Sequence, residues 1–217
     1  MRSSLSAAAL LAALSVPLAA QDQADHADHA APDGGAVPTG WTVRADRGEA
    51  KNAKVVSMGK GLHLTLGPAI ILYRADTRGS GPFHTLATFT QTKPSEHAEG
   101  YGLFVGGQAL DGRAQKYIYF LVRQDGSYLI KGREGEKTSD VSKGWVKHAA
   151  VKKPDAKGAS TNLLEVDNKR DPSRLVFLVN GQEVYGTEAK GMALDGIVGI
   201  RANHNLDLHI EGFAVHR

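Results

Sequence analysis

Two neighbouring segments near the middle of the chain have residue types and spacings that could support chemistry. The first, GYGLFVGG (100–107), places its glycines as G-x-G-x-x-x-G-G, and closely spaced glycines are one feature of phosphate-binding loops. Such a loop requires a strand before the glycines and a helix after them. Here a turn-rich connection, QALDGRAQKYIYF (108–120), leads into another strand. We therefore predict that GYGLFVGG is a strand whose glycines relieve crowding or allow a neighbouring backbone to approach closely.

The second segment, SEHAE (95–99), brings a histidine and a glutamate to the start of that strand. His97 and Glu99 are two residues apart, so in extended backbone their side chains point the same way and could share a ligand. Imidazole and carboxylate groups bind divalent metal ions, although a metal site needs one or two further ligands from elsewhere in the chain. We predict a candidate site for a divalent metal ion at His97 and Glu99. The alternative is a hydrogen-bonded or solvated loop pair.

A third group lies in the closing segment, LDLHIEGF (206–213), where Asp207, His209 and Glu211 alternate with apolar residues. Two carboxylates on one strand face suggest a glycoside hydrolase pair. At the usual rise of a strand, however, Asp207 and Glu211 are about 13 Å apart, whereas such pairs require about 5–9.5 Å. The pattern is instead typical of the solvated outer face of an antiparallel sheet.

The fourth group follows a long hairpin, in which KYIYFLVRQ (116–124) and SYLIKGR (127–133) flank a two-residue turn signal, Asp125-Gly126. Alternation places Tyr117, Tyr119 and Arg123 on one face, where aromatic rings and guanidinium groups could bind sugar rings or carboxylates. The alternative is that the tyrosines belong to the core between two sheets. The candidate ligand-binding residues, including those that could complete a rim, are Tyr117, Tyr119, Arg123, Tyr128, Lys131, Arg133, Trp145, Arg201, Asn203 and His204.

The elements that must position these residues are all strands. Period-two alternation recurs from LHLTL (62–66) to the closing segment, and RLVFLV (174–179) runs into Asn180-Gly181, a strong hairpin signal. After the first twenty residues, no window of twelve or more residues shows a helical period. Many short strands separated by glycine-rich turns predict an all-β, antiparallel two-sheet sandwich over residues 39–217.

The order of these motifs also resembles a known family. The marks are the hairpin Tyr117–Lys131, the hydrophobic-VNG-x-x-V hairpin Val176–Val184 and the closing G-x-R-x-N followed by an alternating strand. Together they resemble the concanavalin A-like lectin/glucanase jelly roll, in particular laminin G-like and 3-keto-disaccharide hydrolase-like exported bacterial domains. The resemblance implies a jelly-roll fold over about residues 40–217. It identifies a fold with many functions rather than one chemistry.

The N-terminus predicts export. Residues 1–20 combine one arginine, an apolar run rich in Ala and Leu that Pro17 interrupts, and a small-residue end, which is typical of a secretory signal peptide. We expect a periplasmic or secreted protein with no transmembrane segment after cleavage. Residues 21–38 lack an apolar period and predict a flexible linker. Its His26 and His29 could bind a metal ion, although a solvated linker is the simpler interpretation.

Composition limits the kinds of partner that the protein could bind. The formal net charge is +3 and the chain contains no cysteine, so the fold must rest on core packing without disulfides. The densest basic segment, KHAAVKKPDAKG (147–158), is interrupted by Pro, Asp and Gly, so we predict no nucleic-acid interface. The leading expectation is non-catalytic binding of a carbohydrate-like ligand. The alternatives are a saccharide-acting hydrolase or lyase, as the resemblance implies, and an envelope module that docks proteins through the basic segment.

Overall fold

The computed structural model describes residues 37–217, which form two antiparallel sheets packed face to face. Within this range the one helical segment is a 3-10 turn, Ala50–Asn52. The strands of sheet A are β1 (Thr42–Ala45), β4 (Ile70–Gly79), β6 (Gly100–Gln108), β7 (Lys116–Arg123), β8 (Ser127–Glu134), β9 (Lys137–Asp140), β10 (Val146–Lys147) and β14 (Gly196–Ala202). The strands of sheet B are β2 (Ala53–Met58), β3 (Gly61–Leu66), β5 (His84–Gln91), β11 (Ser160–Asp167), β12 (Arg174–Val179), β13 (Gln182–Glu188) and β15 (Asp207–His216).

The strand order is that of a jelly-roll sandwich. Sheet A runs β1-β4-β14-β6-β7-β8-β10, with β9 also paired to β8, and sheet B runs β13-β12-β11-β5-β15-β3-β2. Hairpin pairs alternate in each sheet with pairs of strands that are distant in sequence, and the chain crosses repeatedly from one sheet to the other. The predicted all-β, two-sheet antiparallel fold is confirmed. The prediction that GYGLFVGG is a strand is also confirmed, because Gly100–Gln108 forms β6 in the interior of sheet A.

Alternate residues of each strand fill the space between the sheets. Phe120 of β7 and Phe177 of β12 meet there with ring centroids 5.3 Å apart, and Phe89 of β5 lies 5.8 Å from Tyr101 of β6. All four rings are fully buried, and burial of such a side chain stabilises a fold by about 1.5–3 kcal/mol. The period-two pattern of the sequence thus becomes one continuous apolar layer that holds the sheets together.

A second, smaller apolar cluster lies on the outer face of sheet A. The strand register explains this cluster. Gly199 of β14 pairs with Tyr73 of β4 and with Phe104 of β6. Phe104 in turn pairs with Tyr119 of β7, so these residues form one row across the sheet. A Cβ atom on Gly199 would lie 2.5 Å from Cε1 of Phe104, so the phenyl ring packs over the glycine. The cluster comprises Ile71, Tyr73, Phe104, Leu110, Tyr117, Tyr119, Leu121 and Leu129.

The predicted signal peptide (1–20) and nearly all of the predicted linker (21–38), with His26 and His29, lie outside the described residues. These assignments stay predictions. Among residues 37–217 no helix is long and apolar enough to span a membrane.

Candidate ligand-binding site

A half-buried carboxylate joins three strands on the outer face of sheet A. Asp46, which follows β1, accepts hydrogen bonds from Arg201 of β14, at 3.1 Å from Nη1 and 2.6 Å from Nη2. Nη1 of Arg133 on β8 donates a third, at 3.0 Å. Burial by itself raises the pKa of Asp46, but the charges and hydrogen bonds of the two arginines outweigh it and hold this pKa at about 2. The carboxylate is therefore a fixed negative charge at neutral pH.

The two tyrosines of β7 pack against this network. Nη1 of Arg201 also donates to the hydroxyl of Tyr117 at 2.9 Å, and its guanidinium carbon lies 4.9 Å from the ring centroid of Tyr119. Burial raises the pKa of both tyrosines, and the charge of Arg201 opposes that rise. Tyr119 and Arg201 are only 6% and 7% exposed. The tyrosines are thus buried, but on the outer face of sheet A, so the alternative that placed them between the sheets is wrong.

A half-buried indole marks the other end of this face. The guanidinium carbon of Arg123 lies 4.2 Å from the ring centroid of Trp145, which precedes β10. A second neighbour is Gly100 of β6, the cross-strand partner of Arg123, where an added Cβ atom would lie 2.8 Å from Cη2 of Trp145. Because the glycine has no side chain, the indole can lie against the sheet. The guanidinium group of Arg123 over its ring forms a cation–π interaction, which is attractive.

Asp125 forms ion pairs with two cations at this end. Its Oδ2 lies 2.9 Å from Nη2 of Arg123 and 2.7 Å from Nζ of Lys147, and its Oδ1 accepts from Ser127. Burial raises the pKa of Asp125, but the hydrogen bonds from Lys147, Ser127 and Arg123 outweigh it, so the pKa lies well below its usual range. Between the two ends, Lys131 is the cross-strand partner of Tyr119 and forms an ion pair of 3.3 Å with Asp140. The face therefore alternates aromatic rings with charged groups.

No protein-family model and no curated protein matches the chain. Among solved structures, the carbohydrate-binding module CBM66 from Bacillus subtilis has a TM-score of 0.60 at 12% identity, over 82% of this chain and 96% of that one. A galectin-like protein of unknown function from Bacillus subtilis has a TM-score of 0.54 at 12% identity, over 81% and 88%. A β-glucanase from Bacillus licheniformis has a TM-score of 0.52 at 13% identity, over 82% and 91%.

The chain has the concanavalin A-like lectin and glucanase fold. The resemblance stated from the sequence is confirmed at the level of the fold, and identities of 12–13% establish the fold alone. Within this concanavalin A-like sandwich, seven of the ten predicted ligand-binding residues lie on or beside one face, and their role in binding stays a prediction. The residues that lie on the outer face of sheet A or at its rim are Tyr117, Tyr119, Arg123, Lys131, Arg133, Trp145 and Arg201.

Tyr128 does not belong to the site. The structure pairs it with Val122 and buries it in the core between the sheets. The cause is the turn, because Arg123 pairs with Ser127 and leaves three residues in the loop rather than the two expected from Asp125-Gly126. A one-residue difference in register moves a side chain to the opposite face of a sheet. The prediction for Tyr128 is therefore wrong.

Asn203 and His204 follow β14 and lie beside the start of β6. The backbone N–H of Asn203 donates to the carbonyl oxygen of Gly100 at 2.8 Å, and Nδ1 of His204 lies 3.5 Å from Oε2 of Glu99. Glu99 is buried, so this carboxylate faces an imidazole at the same edge as Trp145. Within the described part of the chain, no group of three or more His, Cys, Asp or Glu side chains could hold a metal ion. The predicted metal site at His97 and Glu99 thus finds no third ligand there.

The acidic group of the closing strand lies on the opposite side of the molecule. Asp207, His209 and Glu211 belong to β15 in sheet B, and their side chains face outward beside His63 of β3. His63 Nε2 lies 3.2 Å from Oδ1 of Asp207, and His209 Nε2 lies 3.4 Å from Oε1 of Glu211. None of these residues contributes to the candidate site on sheet A.

Sequence reasoning missed Asp46. Nothing in its local pattern, TVRADRGEA (42–50), distinguishes it from a loop aspartate. The available signal was indirect, because a buried arginine needs a carboxylate partner. That reasoning could have predicted a partner for Arg201 but not its position 155 residues earlier in the chain.

Proposed function

We propose that the protein is an exported, non-catalytic module that binds a saccharide on the outer face of sheet A. The observation that carries this proposal is the half-buried indole of Trp145, which contacts Arg123 and lies close to Gly100 at the end of a face that also contains Tyr119. Aromatic rings offer an apolar surface to sugar rings, and guanidinium groups supply forked donors to their oxygens. The shared fold of a carbohydrate-binding module supports the proposal.

The chemistry of the carboxylates supports a non-catalytic role. A glycoside hydrolase needs a carboxylic acid with a raised pKa as its proton donor. Asp46 and Asp125 on this face have lowered pKa values, because each accepts hydrogen bonds from two or more cationic or hydroxyl donors. Neither can hold a proton at neutral pH, so neither can act as the general acid.

The two tryptophans of the chain allow a direct test of the site. Titration of the purified protein with a panel of oligosaccharides should change the fluorescence of Trp145. The Trp145→Phe variant should lose this change and bind at least about tenfold more weakly. Trp41→Phe is the matched control, because Trp41 packs 5.7 Å from Phe213 of sheet B. Absence of binding to every saccharide at millimolar concentration would overturn the proposal and favour a protein-docking module.

A saccharide-acting enzyme is the second candidate, and Glu99 is the observation that favours it. This buried carboxylate faces His204 at 3.5 Å beside the proposed sugar-binding indole. Incubation with ordinary and 3-keto disaccharides tests the candidate. Turnover that disappears in Glu99→Gln, with saccharide binding retained, would establish the enzyme and overturn the non-catalytic assignment. Unchanged substrates would exclude hydrolysis of these compounds.

Export rests on the sequence of residues 1–20 alone. Mass spectrometry of the protein recovered from the periplasm or medium of its cells should give a mature N-terminus at Gln21. Recovery of the intact Met1 form from the cytoplasm would contradict export.

A further inference from the structure

The outer face of sheet A carries more cations than its two best-partnered carboxylates can neutralise. Asp46 is shared by Arg133 and Arg201, and Asp125 is shared by Arg123 and Lys147. Each group of three therefore has one positive charge in excess. Lys131, between them, is balanced by Asp140.

The excess charge comes with unused hydrogen-bond donors. Arg123 uses Nε for Ser127 and Nη2 for Asp125, whereas its Nη1 forms no hydrogen bond within residues 37–217. Arg133 uses Nε for the carbonyl oxygen of Gly135 and Nη1 for Asp46, and over the same range its Nη2 forms none. Neither leftover nitrogen is among the fully buried, unpartnered atoms of these residues, so each keeps some contact with solvent.

The two groups of charges lie at opposite ends of the face. Arg123 pairs with Ser127 of β8, and Arg133 belongs to the same strand. Ser127 and Arg133 are six residues apart. At about 3.3 Å per residue this distance is about 20 Å, which is much longer than one sugar ring. Tyr119 and Lys131 lie between the ends. A ligand that uses both excess charges must therefore be a chain of several sugars with more than one negative charge.

We propose that the saccharide bound here is an oligomer of uronic acids, whose carboxylates pair with the excess cations at the two ends of the face. This inference rests on the proposed function and names its ligand class. Each leftover guanidinium nitrogen can donate a charge-assisted hydrogen bond to a carboxylate oxygen, and such bonds are stronger than those between neutral groups. The half-buried ring of Trp145 offers its apolar surface to a sugar unit of such a chain.

Calorimetric titration with matched pairs of ligands tests the ligand class. The probes are tetramers of galacturonate, glucuronate, mannuronate and guluronate, each beside its methyl ester, which keeps the sugar and removes the charge. We expect at least one acidic tetramer to bind at least about tenfold more tightly than its ester and than its monomer. Its affinity should also fall between 50 and 500 mM salt, because salt screens charges of this kind.

Two exposed lysines provide a matched pair of variants. Lys147 is 64% exposed and pairs with Asp125, whereas Lys93 is 68% exposed and pairs with Asp207 on sheet B. Lys147→Gln should weaken binding of the acidic tetramer about threefold, and Arg123→Gln about tenfold. Lys93→Gln should leave the affinity unchanged.

The outcomes separate this inference from the function on which it rests. Equal affinity for acid and ester, or binding of neutral or sulfated saccharides without any uronate, would overturn the uronate inference and leave saccharide binding in place. Equal effects of Lys147→Gln and Lys93→Gln would overturn the placement of the ligand on sheet A. Absence of binding to any saccharide, charged or neutral, would overturn both proposals.

Discussion

Replacing Asp46 by asparagine tests how the candidate face is held together. The change removes the carboxylate that Arg133 and Arg201 share, and leaves two guanidinium groups with one amide oxygen to bind. Loss of one partner of a buried ion pair costs about 3–5 kcal/mol. The side chains of Asp46 and Arg133 are 15% and 13% exposed, so water compensates part of the loss. We expect the free energy of unfolding at pH 7 to fall by about 3 kcal/mol, measured by urea denaturation.

The pH dependence of this loss makes the test specific. The pKa of Asp46 falls from 3.8 to about 2 on folding, which corresponds to about 2 kcal/mol of stability. Because the folded pKa is the lower one, this contribution is complete above about pH 5, about half lost at pH 3 and absent below about pH 1. The difference between wild type and Asp46→Asn should therefore narrow from about 3 kcal/mol at pH 7 to about 2 kcal/mol at pH 3.

Asp140→Asn is the control for this experiment. Asp140 is largely exposed and pairs with one lysine, Lys131, at 3.3 Å. An exposed ion pair contributes at most about 1 kcal/mol, so this variant should lose little stability at either pH. A difference between wild type and Asp46→Asn that stays constant from pH 7 to pH 3, or one no larger than that of Asp140→Asn, would refute the reasoning.

Three further substitutions test the packing of the sandwich. Gly199→Ala should lower stability by about 2–3 kcal/mol in thermal unfolding, because its Cβ atom would lie 2.5 Å from the ring of Phe104; an unchanged Tm would contradict that close packing. Gly100→Ala should displace Trp145, shift its fluorescence and weaken saccharide binding, whereas an unchanged emission spectrum would show that the indole does not rest on the glycine. Asn180→Ala should cost about 2 kcal/mol in urea denaturation, since the asparagine has a φ of 52° and its side chain holds three hydrogen bonds; full stability would contradict this role.

The two predicted hairpin turns show what a local pattern can specify. Asn180-Gly181 forms the expected two-residue turn, because Val179 pairs directly with Gln182 and both turn residues have positive φ. The turn at Asp125-Gly126 contains one more residue than expected, because Arg123 pairs with Ser127. Of its three residues only Gly126 has a positive φ, 84°. Three-residue loops ending in such a glycine are also common, and the dipeptide alone does not distinguish the two. The faces of β7 were predictable from alternation, whereas its register with β8 was not.

The charged network of the site could not be predicted for a different reason. Asp46, Arg133 and Arg201 come from segments that sheet A brings together, although 155 residues separate the first from the last. Alternation along β14 shows that Arg201 points outward, but the partner depends on which strands become neighbours. That order is a property of the whole sheet. Strand composition and turn signals therefore predicted the class of fold, and pairing between distant strands decided the composition of the site.

The charged groups on the outer face of sheet B differ from those on the outer face of sheet A. Sheet B also presents ionisable side chains, but its carboxylates Glu165, Asp207 and Glu211 face histidines, at 2.9–3.4 Å, and one lysine, Lys93. Among these groups one lysine, Lys93, faces a carboxylate, and the other named partners are histidines. This part of sheet B therefore offers no arginine to an acidic saccharide, whereas sheet A offers Arg123 and Arg133. A net charge of +3 for the whole chain is too small to produce general binding of polyanions, so binding of uronates would have to depend on the arrangement of cations on one face.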